Sequence, residues 1–156
     1  MRRLLPELGG SMIVIHYGSK IYDPLKVKKI KNDDRNKPIG GLWTSPINSE
    51  FGWIDWCRCE EYTEYEPENS FKLLILPESN IYKIDSFQDL LSLPLIQKTY
   101  MNKMVPDFEI IQKTIDAIWL TIKGENETRL ASNPDLYGWD CESVLIMNPD
   151  CCRQIL

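Results

Sequence analysis

One histidine, His16, is the chain's whole supply of imidazole, which excludes a His-rich metal site. No apolar run approaches the roughly 20 residues that a membrane-spanning helix needs. A basic excess is missing as well. Eighteen Lys and Arg against 23 Asp and Glu leave a net charge of −5, which argues against generic affinity for duplex nucleic acid. The local exception is Lys26, Lys28, Lys29, Lys31, Arg35 and Lys37, a run that reads either as a solvated loop or as a contact for a polyanion. Met1 to Ser11 holds two arginines but no long apolar core and no small-residue cleavage site, so it does not read as a signal peptide. Gly9-Gly10-Ser11 before Met12 reads as a leader and linker (residues 1–11) joined to a second start, with one domain expected over 12–156.

Cysteine is present but in an odd number: Cys57, Cys59, Cys141, Cys151 and Cys152. Without a secretory signal that pattern predicts reduced thiols and a cytoplasmic setting. Neither Cys57-x-Cys59 nor Cys151-Cys152 has the spacing of a zinc knuckle. The remaining composition, 43% hydrophobic and 26% charged over 156 residues, is that of one globular domain able to bury a real core.

The chain alternates short apolar runs with turn signals. Met12 to His16 is β-branched and predicts a buried strand, ended by Tyr17-Gly18-Ser19. Lys20 to Lys37, broken by Asp23-Pro24, predicts a long loop with one helical turn. Leu42 to Thr44 predicts a second strand. Asn48 or Ser49 is expected to cap a helix running to about Glu61. Phe71 to Leu76 and Ile81 to Ile84 predict strands, and Ser86-Phe87-Gln88-Asp89 a capping box. Leu95 to Met104 is ambiguous. Asp107 is expected to cap a helix whose apolar face is Phe108, Ile111 and Ile115. Ala117 to Ile122 reads as a strand, Gly124 to Pro134 as a polar loop, and Glu142 to Met147 as the last strand. Strands and helices intermix, which predicts an α+β domain on a mixed, twisted sheet of short strands with flanking helices.

The stretch with the most chemistry is Gly40-Gly41-Leu42-Trp43-Thr44-Ser45-Pro46 and the segment after it, which adds Trp53 and Trp56. Three indoles within fourteen residues form either a core corner or a wall for a planar ring. His16 ends the first strand, Ser45 the second, and Glu142 begins the last; polar groups at strand edges are placed to line a cleft.

In this order the residues resemble the ADP-ribosyltransferases of the His-Tyr-Glu type, the class of diphtheria toxin and the poly(ADP-ribose) polymerases. Ile15-His16-Tyr17-Gly18-Ser19 is similar to that family's strand ending in His-Gly-Ser or His-Gly-Thr, with Tyr17 interposed. Gly41-Leu42-Trp43-Thr44-Ser45 is similar to its Gly-Ile-Tyr-Phe-Ala segment, and Trp56-Cys57 to the aromatic-Cys pair downstream. Glu142-Ser143-Val144-Leu145-Ile146-Met147 is similar to its glutamate-led final strand. The resemblance implies an ADP-ribosyltransferase-like fold and NAD as the donor, with no metal required. It implies an NAD site formed by His16, Tyr17, Gly18, Ser19, Gly41, Trp43 and Ser45, in which the Gly18 backbone meets the carboxamide, His16 a ribose hydroxyl, and Trp53 or Trp56 lies across the nicotinamide from Trp43. Glu142 would be the catalytic carboxylate, acting on the oxocarbenium-like sugar and on the nucleophile. The acceptor would be a protein or a nucleic acid. Asp140, two residues before Glu142, is not the residue of the arginine-specific branch and is a rival carboxylate. The small size fits a bacterial or phage toxin or defence effector, with an antitoxin or inhibitor as partner. The alternative is an inactive fold that binds NAD or ADP-ribose as a sensor or interaction module. A third reading, an RNA 2′-phosphotransferase, accounts for His16 but not for Glu142.

Overall fold

A computed structural model describes residues 12–62, 65–98 and 102–156; the leader expected over 1–11 lies outside them. Among the described residues nine strands and four α-helices follow one another: β1 (Met12–Tyr17), β2 (Leu42–Pro46), α1 (Trp53–Cys59), β3 (Ser70–Ile75), β4 (Ile81–Ile84), α2 (Phe87–Leu91), β5 (Leu95–Lys98), β6 (Lys103–Pro106), α3 (Phe108–Ile111), β7 (Ala117–Leu120), α4 (Ile122–Thr128), β8 (Ser143–Ile146) and β9 (Cys152–Ile155). Seven of the strands form one sheet in the order β4-β7-β8-β2-β1-β3-β9, and β5-β6 form a separate hairpin. Strands β4 and β7 pair in parallel, and the other pairs in the large sheet are antiparallel. The domain is therefore α+β on a mixed sheet.

Period-2 alternation splits β2, β4, β7 and β8 between two cores. On one face Ile118, Leu120, Leu145, Tyr82 and Ile84 join Leu90, Phe108, Ile111 and Trp139, with Trp43 packed against them. On the other, Val14, Phe71, Leu73, Ile75, Val144 and Ile146 join Cys151 and Cys152, with Trp119 at the margin. Strand β8 is buried at all four positions because both faces are covered.

Several local expectations change once tertiary partners are present. Helix α1 starts at Trp53 behind Gly52, not at Asn48 or Ser49. The Ser49 hydroxyl instead accepts from the Phe51 N–H in the preceding turn. The Ser86 cap forms through the Asp89 N–H, but the Asp89 carboxylate reaches Asp85 N–H, so the box is half made. The loop expected over Gly124 to Pro134 begins as helix α4, capped by Thr121, whose hydroxyl accepts from Gly124 N–H. A glycine inside that helix is explained by packing. A Cβ on Gly124 would stand 2.0 Å from the Ile84 carbonyl oxygen, so helix and strand touch only without one. No sequence pattern announces strand β9. It closes the β3 edge by pairing Cys152 with Ile75 and Ile155 with Lys72. Among the described residues no helix is long and apolar enough to cross a membrane.

Candidate functional site

The three motif blocks lie on strands that are neighbours, β1, β2 and β8. Registers Ile15–Ser45 and Trp43–Leu145 join them. Where they meet, a cavity of about 310 Å³ is lined by Ile15, Tyr17, Trp43, Ser45, Cys141 and Ser143 from the sheet, with His16 and Thr44 beside them. Trp53 from α1, Trp139, Asp140 and Lys37 complete the wall. The volume is at the small end of organic-ligand pockets and matches a ring with a short extension.

Aromatic surface dominates. Trp43 meets Trp139 edge-on, ring centres 4.7 Å apart at 77°. Trp139 is buried and fixed by its Nε1–H bond to the Asn36 carbonyl at 3.0 Å. The Lys37 ammonium stands 5.4 Å from the centre of the Trp43 ring, a cation–π contact in the cavity wall. Trp53 and Trp56 do not compete for one role. They stack on each other, 4.8 Å apart and 17° from parallel, so Trp53 presents one face to the cavity and Trp56 backs the other.

The polar groups are held tightly. His16 Nδ1 lies 2.7 Å from the Trp43 carbonyl. A carbonyl only accepts, so Nδ1–H donates, and Nε2 is the ring position left for a ligand hydroxyl. The buried Ser45 hydroxyl donates to the Glu142 carbonyl and accepts from the Trp53 N–H, both at 3.0 Å. This one side chain ties β2, α1 and the start of β8 together. Burial pushes the Tyr17 phenol up, the Arg58 charge offsetting part of the rise, so Tyr17 remains a hydrogen-bond donor. Burial likewise pushes the Cys141 thiol up to about 11, which keeps it an inert apolar wall at neutral pH.

Five of the expected ligand residues therefore line this cavity: His16, Tyr17, Trp43, Ser45 and Trp53. Others do not. Gly18 donates its N–H to the Asn69 carbonyl at 2.8 Å and has no free donor for a carboxamide. The Ser19 hydroxyl donates to the Ile21 carbonyl in a turn. Gly41, at φ +71°, serves packing: a Cβ there would meet Ile30 Cδ1 at 2.8 Å and Leu145 Cδ1 at 2.9 Å. Its N–H donates to the Lys28 carbonyl, which docks the loop onto β2.

Glu142 lies apart from these residues. At the entry to β8, Cys141 and Ser143 line the cavity, whereas the Glu142 side chain lies on the other face, with Trp119. There its buried carboxylate accepts a 2.8 Å bond from Trp119 Nε1–H. His16 and Thr44 share the parity of Glu142 and border the cavity from that side of the sheet. Registers Val14–Pro46 and Thr44–Val144, continued, still set Glu142 two strands and two positions from His16, on the order of 10 Å away. Trp119 itself carries the Lys83 ammonium 4.8 Å from its ring centre. The glutamate closes a chain of contacts outside the cavity.

Trp139 and Cys141 join the site without having been expected as ligand residues, while Ser143 stood only within the glutamate-led block and Lys37 only within the basic run. A partial signal exists in Cys141-Glu142-Ser143, where a period of two assigns Cys141 and Ser143 to one face once Ser143 is seen opposite Leu120; Trp139 and Asp140 lie in the irregular segment before β8, and alternation does not place them.

A second, larger cleft of about 700 Å³ adjoins the first. Arg35, Lys37, Lys98 and Lys103 line it together with Asp33, Asp34, Asp135 and Asp140. Lys103 is paired with Asp135 at 2.6 Å. The two hollows share Lys37 and Asp140, which stand at their junction. Among the described residues no cluster of three or more His, Cys, Asp or Glu side chains is gathered as a metal site.

Compared with known proteins, the chain matches no family model. No curated protein matches it, and no solved structure matches its fold.

Proposed function

We propose that the indole-lined cavity receives the nicotinamide ring of NAD and that the protein transfers ADP-ribose to a nucleophile, releasing nicotinamide. The fold would then be an ADP-ribosyltransferase-like arrangement of its mixed sheet. The observation that carries the reading is the meeting of His16, Tyr17, Trp43, Ser45 and Trp53, from two separate sequence blocks, around one cavity of about 310 Å³. A planar aromatic ring fits between indoles at offset or edge-on contact. His16 Nε2 accepts from a ribose hydroxyl, its tautomer set by the Trp43 carbonyl. The remainder of the dinucleotide passes Lys37, which lines both hollows and whose ammonium suits a phosphate. The acceptor is a protein or nucleic-acid group.

One observation favours a second reading, a protein that binds the dinucleotide without chemistry. The Glu142 carboxylate is engaged by Trp119 and faces away from the cavity. The two readings part in a single measurement. NAD is titrated while indole fluorescence is followed, and nicotinamide release is recorded with and without candidate acceptors. Fluorescence quenching with release supports the transferase. Quenching without release, for any acceptor or water, supports the binder. Absence of both signals removes both readings. Trp53→Ala is expected to weaken NAD binding by about 10-fold, as loss of one stacking face does. Its unfolding midpoint should hardly move, because Trp53 is only partly buried.

A further inference from the structure

We infer that Asp140, not Glu142, is the carboxylate that acts in the transfer; this rests on the transferase reading above. Asp140 is the single acidic residue in the wall of the indole cavity, and it belongs to the wall of the larger cleft as well. The carboxylates nearest to it in sequence are engaged. Asp135 holds Lys103 and accepts from the Tyr137 N–H, and Glu142 holds Trp119. Asp140 has no hydrogen bond or ion pair among the described residues. Its half-buried carboxylate is thus free to meet a ligand.

Its backbone is nonetheless fixed on both sides. Trp139 N–H donates to the Leu136 carbonyl, and Glu142 N–H donates to the Phe51 carbonyl. The Trp139 indole and the Cys141 thiol are buried. A free carboxylate on a held backbone, at the opening between two hollows, is preorganised for charge stabilisation and proton transfer. The ring occupies the indole side. The acceptor arrives from the side lined by Arg35, Lys98 and Lys103.

The step balances without a further reactant. The bond between ribose C1′ and the nicotinamide nitrogen breaks, and its electron pair neutralises the departing ring. Positive charge grows on the sugar beside Asp140. The acceptor's oxygen or nitrogen bonds to C1′ and its proton passes to the Asp140 carboxylate, which returns it to water. Lys37, across the junction, stays outside this transfer and holds the phosphate side.

The test measures nicotinamide release from NAD by the full chain and by Asp140→Asn and Glu142→Gln, with NAD affinity read from indole fluorescence. Both substitutions are nearly isosteric, and the amide oxygen introduced by Glu142→Gln would still accept from Trp119. Circular dichroism checks that each variant is folded. Asp140→Asn is expected to cut release by about 10²–10⁴-fold, with affinity within about threefold. Glu142→Gln should lose less than a tenth as much. Release by Asp140→Asn at the wild-type rate overturns this assignment alone, as does a loss in Glu142→Gln equal to that in Asp140→Asn. Absence of release by the wild-type chain, with or without binding, overturns the transferase reading and this assignment together.

Discussion

The cavity wall asks two different things of its residues. Trp53 and Tyr17 offer surface and a donor, whereas Cys141 fills space. With its thiol pushed up to about 11 by burial, Cys141 favours the folded state only while protonated. The contribution is fully present below the thiol's ordinary value near 9 and is lost as pH climbs through about 11. The rise from about 9 to about 11 corresponds to about 2–3 kcal/mol. Urea denaturation between pH 8 and pH 11 should therefore show a decline that is shallower in Cys141→Ala; parallel slopes would mean that the thiol is not desolvated. The same residue shows what a single position reveals from sequence. Cys141 is legible as a reduced thiol, but its place in the cavity wall is not, because facing depends on which strand pairs with β8.

Elements are more legible than their joints. Met12 to His16, Phe71 to Leu76 and Ile81 to Ile84 announce themselves by β-branched and aromatic density, and strands β1, β3 and β4 lie there. Asp107 is legible as a cap because its side chain acts locally, accepting from the Ile110 N–H. Helix α4 is not legible, since Gly124 and Asn126 argue against a helix until the strand beneath is known. That contact makes an unusual prediction. Gly to Ala in a helix normally gains up to about 1 kcal/mol. At Gly124 it should instead lose about 2 kcal/mol or more, because the intruded atom is backbone, the Ile84 carbonyl. Chemical denaturation of Gly124→Ala decides this, and any gain in stability would show that α4 can rise off β4 at little cost. Strand β9 escapes for the opposite reason: Cys152 to Ile155 has no alternation of its own and is a strand only because β3 offers an unpaired edge.

At the scale of the molecule, one sheet separates two cores that share its central strands. Val144 and Leu145 are adjacent yet belong to opposite sides. Neither core can melt while the other stays packed, so unfolding should be a single cooperative step. Indole fluorescence, which reports on the Trp43–Trp139 pair among others, and far-ultraviolet circular dichroism should then give the same midpoint. Separated midpoints would mean that the cavity side opens alone. This architecture also explains the limits of what can be read beforehand. The α+β class follows from patterning, and the convergence of the first two blocks follows from strand-edge placement. The orientation of Glu142 depends on a one-residue alternation that no motif encodes.

The Trp119–Glu142 contact has a spectroscopic consequence. An indole proton aimed at a carboxylate 2.8 Å away is deshielded, so its nuclear resonance should stand downfield of the other four tryptophans. Selective isotope labelling of tryptophan would make that peak a resident gauge of the glutamate's surroundings. It should hold its position while the peaks of Trp43, Trp53 and Trp139 shift on addition of a dinucleotide, and the glutamate would betray any swing toward the ligand by moving that one signal.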